Sequence, residues 1–185
     1  LQLFVSKLRK IVKQKDLNGL IHCLDTGIVS SYGGGEYGIT TFKTRWGLNE
    51  KHQDSEIWKL LDLYISMGGA WDDSKKSRFC FPYLKSNSIY SRLKLDLDCY
   101  SMVTCTAPRV IVYQQANINS KKIGVLSYEV LTATNVSGEF TWIETVDESI
   151  SGCILTKHLM RCYENHPVLE KIDEEWKITS FAPYD

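Results

Sequence analysis

The opening segment LFVSKLRKIVKQKD sets Phe4, Leu8, Ile11 and Val12 at helical spacing, with Lys7, Lys10 and Lys13 off that face, and so predicts an amphipathic helix. Its basic side reads as a solvated helix face rather than a lipid contact. Asp16 is placed to cap a short second helix, LNGLIHCL, with Leu17, Leu20, Ile21 and Leu24 as its apolar side and Gly27 as its stop. A third helix is predicted over DSEIWKLLDLYISMGG, capped by Asp54 or Ser55, presenting Ile57, Trp58, Leu61, Tyr64 and Ile65, and ended by Gly68. From RFCFPYL onward the period changes. Leu93, Leu95, Leu97 and Cys99 alternate with Lys94, Asp96, Asp98 and Tyr100, which is the mark of a half-buried strand. Strand patterns continue almost to the end, dividing the chain into a helical first half and a β second half.

Between the second and third helices stands SSYGGGEYG, Ser30 to Gly38. A phosphate-cradling loop would follow a strand, open a helix and end in a Lys-Ser/Thr pair. No such pair follows, and the flanks GIVSS and ITTFKTRW both read as extended. The glycines are therefore expected to form a hairpin turn in which Gly33, Gly34 or Gly35 takes a positive φ.

Composition changes this picture only by exclusion. With 43% hydrophobic and 24% charged residues the chain belongs among globular proteins, and 22 basic against 22 acidic residues remove the electrostatic footprint of a nucleic-acid binder. No apolar run is long enough to predict a transmembrane segment. The first residue is Leu1 rather than Met, which fits either a removed secretory or lipoprotein leader, with a lipid anchor, or trimming of the chain. The six cysteines, Cys23, Cys80, Cys99, Cys105, Cys153 and Cys162, permit disulfides in an exported protein. Export predicts at least one oxidised pair among Cys99, Cys105, Cys153 and Cys162.

Residues 103–159 contain RVIVYQQANINSKKIGVLSYEVLTATN, FTWIETV and SGCILTKHL. This region resembles the bacterial SH3 (SH3b) family, whose pattern is a V-x-V-R strand, a polar loop, IG-x-L, a second strand, W-x-x-V and a closing G-Y-V. The matching residues are Val110 and Val112, then Ile123, Gly124 and Leu126, then Trp142 and Val146, which stand one residue farther apart than W-x-x-V, and finally Gly152 and Ile154. Tyr113 stands where the family often has Arg, and Cys153 where it often has Tyr. The resemblance implies a small closed barrel, and five short alternating strands with polar turns suit one. Flanking segments resemble those of bacterial proteins that carry such a module: FVSKLRK, SYGGGEYG, FKTRW, FPY and WKITSFAPYD. The last of these reads as a strand with two partly apolar faces, returning from the barrel to the N-terminal module.

Three constellations could carry chemistry. Cys153, His158, Cys162 and His166 are spaced as C-x4-H-x3-C-x3-H, but Cys153 is expected on a core-facing strand, so buried thiols or a Cys153–Cys162 disulfide are preferred to zinc. A Cys-His hydrolase needs a histidine held beside its cysteine, whereas adjacent His22 and Cys23 diverge on a helix. Glu36, Asp72 and Asp73 read as surface turn residues. Aromatics are the stronger signal: the resemblance implies that loop aromatics and polar residues hold peptides or peptidoglycan stems, and stacking area with a polar handle suits such ligands.

The expected fold is α+β: a helical N-terminal module with a β-hairpin over residues 1–100, an SH3-like five-stranded barrel over 101–162, and a returning strand over 163–185. The expected function is that of a non-enzymatic binding protein of the bacterial periplasm or cell envelope, taking a peptide, peptidoglycan fragment or envelope protein, with no metal or cofactor. A protein–protein assembly module and, more remotely, a cell-wall hydrolase are the alternatives. Ligand contacts are expected from Tyr113, Gln115, Tyr128 and Trp142 of the barrel and from Tyr32, Tyr37 and Trp46 beside the hairpin. Trp142 could equally be core, whereas Tyr113 is expected at the surface.

Overall fold

A computed structural model describes residues 1–31, 33–86, 101–133, 136–161 and 164–182. It divides into two compact units, Leu1–Tyr90 together with Asn165–Asp185, and Ser91–Glu164. The predicted strand of Leu93, Leu95, Leu97 and Cys99 lies outside the described residues, as do Tyr32 and Cys162.

In the first unit, α1 (Gln2–Gln14) buries Leu8, Ile11 and Val12, the face that the spacing predicts. Asp16 caps α2 (Leu17–Cys23) by accepting the Gly19 N–H at 2.9 Å. Gly27 does not stop this helix. The chain turns extended at Leu24, and Gly27 lies inside β1 (Leu24–Ser31). The glycine stretch then leads into β2 (Glu36–Tyr37), antiparallel to β1, with Gly35 at φ 66° supplying the left-handed residue.

The run ITTFKTRW is a helix, not a strand: α3 spans Ile39–Arg45. Its Thr and Ile residues favour strand, but Ile39, Phe42 and Trp46 recur at helical spacing, and Gly38 at φ 86° redirects the chain immediately after β2. Burial of Phe42 decides between the two patterns. The third predicted helix is α4 (Ile57–Met67), where Ser55 Oγ accepts the Ile57 N–H at 3.3 Å and Gly68 ends the helix at φ 84°.

The sheet of this unit continues with β3 (Ala70–Trp71) and β4 (Arg78–Cys80) and is completed from the other end of the chain by β12 (His166–Ile172) and β13 (Glu175–Ala182). Its order is β2-β1-β13-β12-β4-β3, with β13 parallel to β1 and the other pairs antiparallel. The strand predicted from EEWKITSF is thus internal to this sheet, burying Ile178, Ser180, Phe181 and Ala182. Phe181 packs edge-on against Phe42 and Trp46.

The second unit holds β5 (Met102–Cys105), β6 (Val110–Tyr113), β7 (Lys122–Leu126), β8 (Val130–Thr132), β9 (Phe140–Thr145), β10 (Ser151–Leu155) and β11 (Leu159–Arg161). They form one sheet of seven strands in the order β11-β5-β8-β9-β10-β6-β7, so β11 and β7 are its edges and the sheet is open. The residues that carry the resemblance fall on β6, β7, β9 and β10, and Val146 lies just beyond β9. The core contains Val103, Val110, Val112, Leu126, Ile143 and Ile154, all on one side of their strands.

Candidate functional site

Alternation along the strands leaves a second face opposite that core. On β6, Val110 and Val112 are core, so Ile111 and Tyr113 face away; on β9, Ile143 is core, so Trp142 and Glu144 face away. On β10, Gly152 stands opposite Ile143 and Ile154 is core, so Cys153 projects to the outer face. Its thiol is nevertheless buried and free, which agrees with the buried-thiol expectation and not with a Cys153–Cys162 disulfide. Pairing then aligns the outer residues, with Trp142 opposite Cys153, Cys153 opposite Tyr113, and Tyr113 opposite Lys122. Directly paired residues share a face. The outcome is a transverse row of Trp142, Cys153, Tyr113 and Lys122, spanning roughly 14 Å at the usual strand separation.

Burial within this row decides the open alternative for Trp142 and overturns the surface expectation for Tyr113. Trp142 is 53% exposed, while Tyr113 is 8% exposed, its ring edge-on to Phe140 with centroids 6.0 Å apart. Tyr113 is covered by its outer-face neighbours rather than drawn into the core. Val125, 55% exposed and paired with Ile111, extends the apolar area toward the sheet edge.

The other expected contact residues are scattered. Gln115 lies in the exposed β6–β7 loop, where its N–H donates to Ser120 Oγ at 3.0 Å. Tyr128 lies in the turn between β7 and β8 at φ 56°, half-buried. In the first unit Tyr37 is 54% exposed on β2, but Trp46 belongs to the packing, its ring 4.9 Å from Phe181 and its buried Nε1 without a hydrogen-bond partner among the described residues. The aromatic surface expected beside the hairpin therefore keeps Tyr37 and loses Trp46, and Tyr32 lies outside the described residues. Sequence reasoning missed Lys122 and Cys153 as outer-face residues. Counting alternate positions from Ile143 and Ile154 finds Cys153, but Lys122 reaches this face only through the register shift between Val112 and Tyr113, which alternation does not reveal.

Titratable groups define the chemistry that the described residues can support. Cys23, Cys80, Cys105 and Cys153 are buried free thiols. Burial raises all four, taking Cys80 and Cys105 to about 12, and a thiol held protonated is a poor nucleophile. Glu36 is ion-paired with Arg45, and Asp72 meets Arg78 at 3.3 Å. Among the described residues no group of three His, Cys, Asp or Glu side chains is placed to hold a metal ion; Cys153 lies in the second unit and His166 in the first. Among the described residues no helix is long and apolar enough to cross a membrane.

No family model, curated protein or solved structure matches the chain.

Proposed function

We propose that the protein is a non-enzymatic binding module of the bacterial cell envelope, and that the outer face of its second unit holds a peptide, peptidoglycan fragment or protein partner. The observation that carries this reading is Trp142, half in solvent on the face opposite the core cluster, at the end of a platform whose other members, Cys153 and Tyr113, are buried beside it. Such a side chain gives up stabilising burial in the free protein and recovers it on contact with a ligand. The resemblance of residues 103–159 to bacterial SH3 modules supplies the envelope setting. In this reading β6, β7, β9 and β10, the strands that carry the resemblance, belong to an SH3-like barrel.

A second reading, an assembly module without a wall ligand, is favoured by the edge strand β7 with exposed Ile123 and Val125. Sedimentation with purified sacculi separates the two. Binding to the wall that drops at least tenfold in Trp142→Ala supports the platform. Absence of wall binding, together with self-association lost in Val125→Lys, supports assembly.

A further inference from the structure

The turn joining β5 to β6 carries a conflict between backbone and side chain. Arg109 follows Pro108 and adopts φ 61°, with its N–H donating to Ser127 Oγ at 3.0 Å. Proline followed by a positive φ is the signature of a type II turn, in which glycine is the favoured third residue. Glycine would hold the same backbone angle without strain, so what arginine adds at this position is its guanidinium.

Arg109 is one of the residues that line a shallow cleft of about 120 Å³ within the second unit. Ile111, Tyr113 and Leu155 supply apolar lining, His158 also contributes, and no Asp or Glu lines the cleft. Arg109 is exposed and has no ion-pair partner among the described residues. The space is that of about four waters, enough for one small group and too small for a whole ligand.

We propose that this cleft binds the free carboxyl terminus of an extended peptide whose last side chain is small and apolar. The inference rests on the platform reading and names the chemistry of its ligand. An α-carboxylate and a short alkyl side chain share one carbon, so a single small cleft can hold the first against the guanidinium fork and the second against Ile111 and Leu155. An Asp or Glu side chain brings a carboxylate without the neighbouring alkyl group. Tyr113 belongs to both the cleft and the transverse row, so a peptide anchored at its end continues across Cys153 toward Trp142.

The test is fluorescence anisotropy on the full chain with three labelled peptides, identical except that they end in Ala-Ala free acid, Ala-Ala amide or Ala-Asp amide. The free acid is expected to bind at least about tenfold more tightly than either amide, the usual effect of one charge-assisted pair. Arg109→Gly, which relieves the positive φ, should melt no lower than the parent yet lose that preference, and Arg109→Gln should lose it as well. Equal binding of acid and amide, an Ala-Asp amide matching the acid, or a preference that survives both substitutions overturns the inference and leaves the platform reading standing. Sedimentation with sacculi without binding of any peptide does the same. Loss of both wall and peptide binding overturns the two together.

Discussion

Gly152 is the position where a single methyl group should do the most damage in the second unit. A Cβ built there lies 2.6 Å from the Tyr113 carbonyl oxygen, 2.8 Å from Ile123 Cδ1 and 2.9 Å from Val112 Cγ1. A carbon and a carbonyl oxygen ordinarily approach to no less than about 3.3 Å, so β10 and β6 must separate by roughly 0.7 Å. The Ile123 tip can rotate, but the carbonyl is held by the strand and Val112 is in the core. Overpacking of this kind costs about 1–3 kcal/mol, and the stiffer unfolded chain of the alanine variant returns about 0.4–1 kcal/mol. Gly152→Ala should therefore lose about 1–2 kcal/mol. Gly124→Ala is the control, because its Cβ meets only the flexible Ile150 side chain, at 3.1 Å from Cδ1, and its net change should stay within about 0.5 kcal/mol. Native-state hydrogen exchange at the Ile143 and Ile154 amides reads the stability of this unit directly. A Gly152→Ala change below about 0.3 kcal/mol, or a larger loss from Gly124→Ala, would refute the packing argument.

Three further outcomes follow from local geometry. Gly35→Val places a β-branched residue at φ 66° and should cost about 1–2 kcal/mol in urea unfolding, whereas a neutral result would mean that the turn rearranges freely. Asp173 and Glu174 both have positive φ in the two-residue turn between β12 and β13, so replacing them with Asn-Gly should stabilise the first unit by up to about 1 kcal/mol, with a lower urea midpoint counting against it. Hydrogen bonds from Thr145 and Ser149 hold the Asp147 carboxyl down at about 2. Because this pKa is depressed on folding, the associated stability is present above the ordinary carboxylate value near 3.9 and is lost as pH falls toward 2. A carboxyl titration followed by NMR should find the low midpoint and see it rise in Thr145→Ala, and a midpoint near 4 in the parent would contradict the bonding.

The legible parts of this chain were those where local pattern and packing agree. The amphipathic face of α1, the Asp16 cap and the Gly68 terminator each follow from a few neighbouring residues, and the structure places them as read. The segment after the glycines failed because β-branched Thr40, Thr41 and Thr44 mask the helical spacing of Ile39, Phe42 and Trp46, and only contact with Phe181, far away in sequence, decides between them. Sequence leaves core and surface even for Trp142, which is exposed, and expects a surface Tyr113, which is buried. Alternation tells which face a residue takes, while its burial depends on neighbours from three other strands that only the register brings together. Lys122 entered the row through the same pairing. Arg109 was invisible for a different reason, since its significance lies in a backbone angle.

The most direct measurement is an NMR map of the folded protein during titration with soluble muropeptides from purified sacculi. The account predicts saturable shifts in the Trp142 indole and in the amides of Tyr113, Lys122 and Cys153, with little change at Trp46 and Phe181 in the first unit. Saturable binding whose shifts fall on the first unit and spare Trp142, or no shifts at ligand concentrations that saturate sacculus binding, would contradict it.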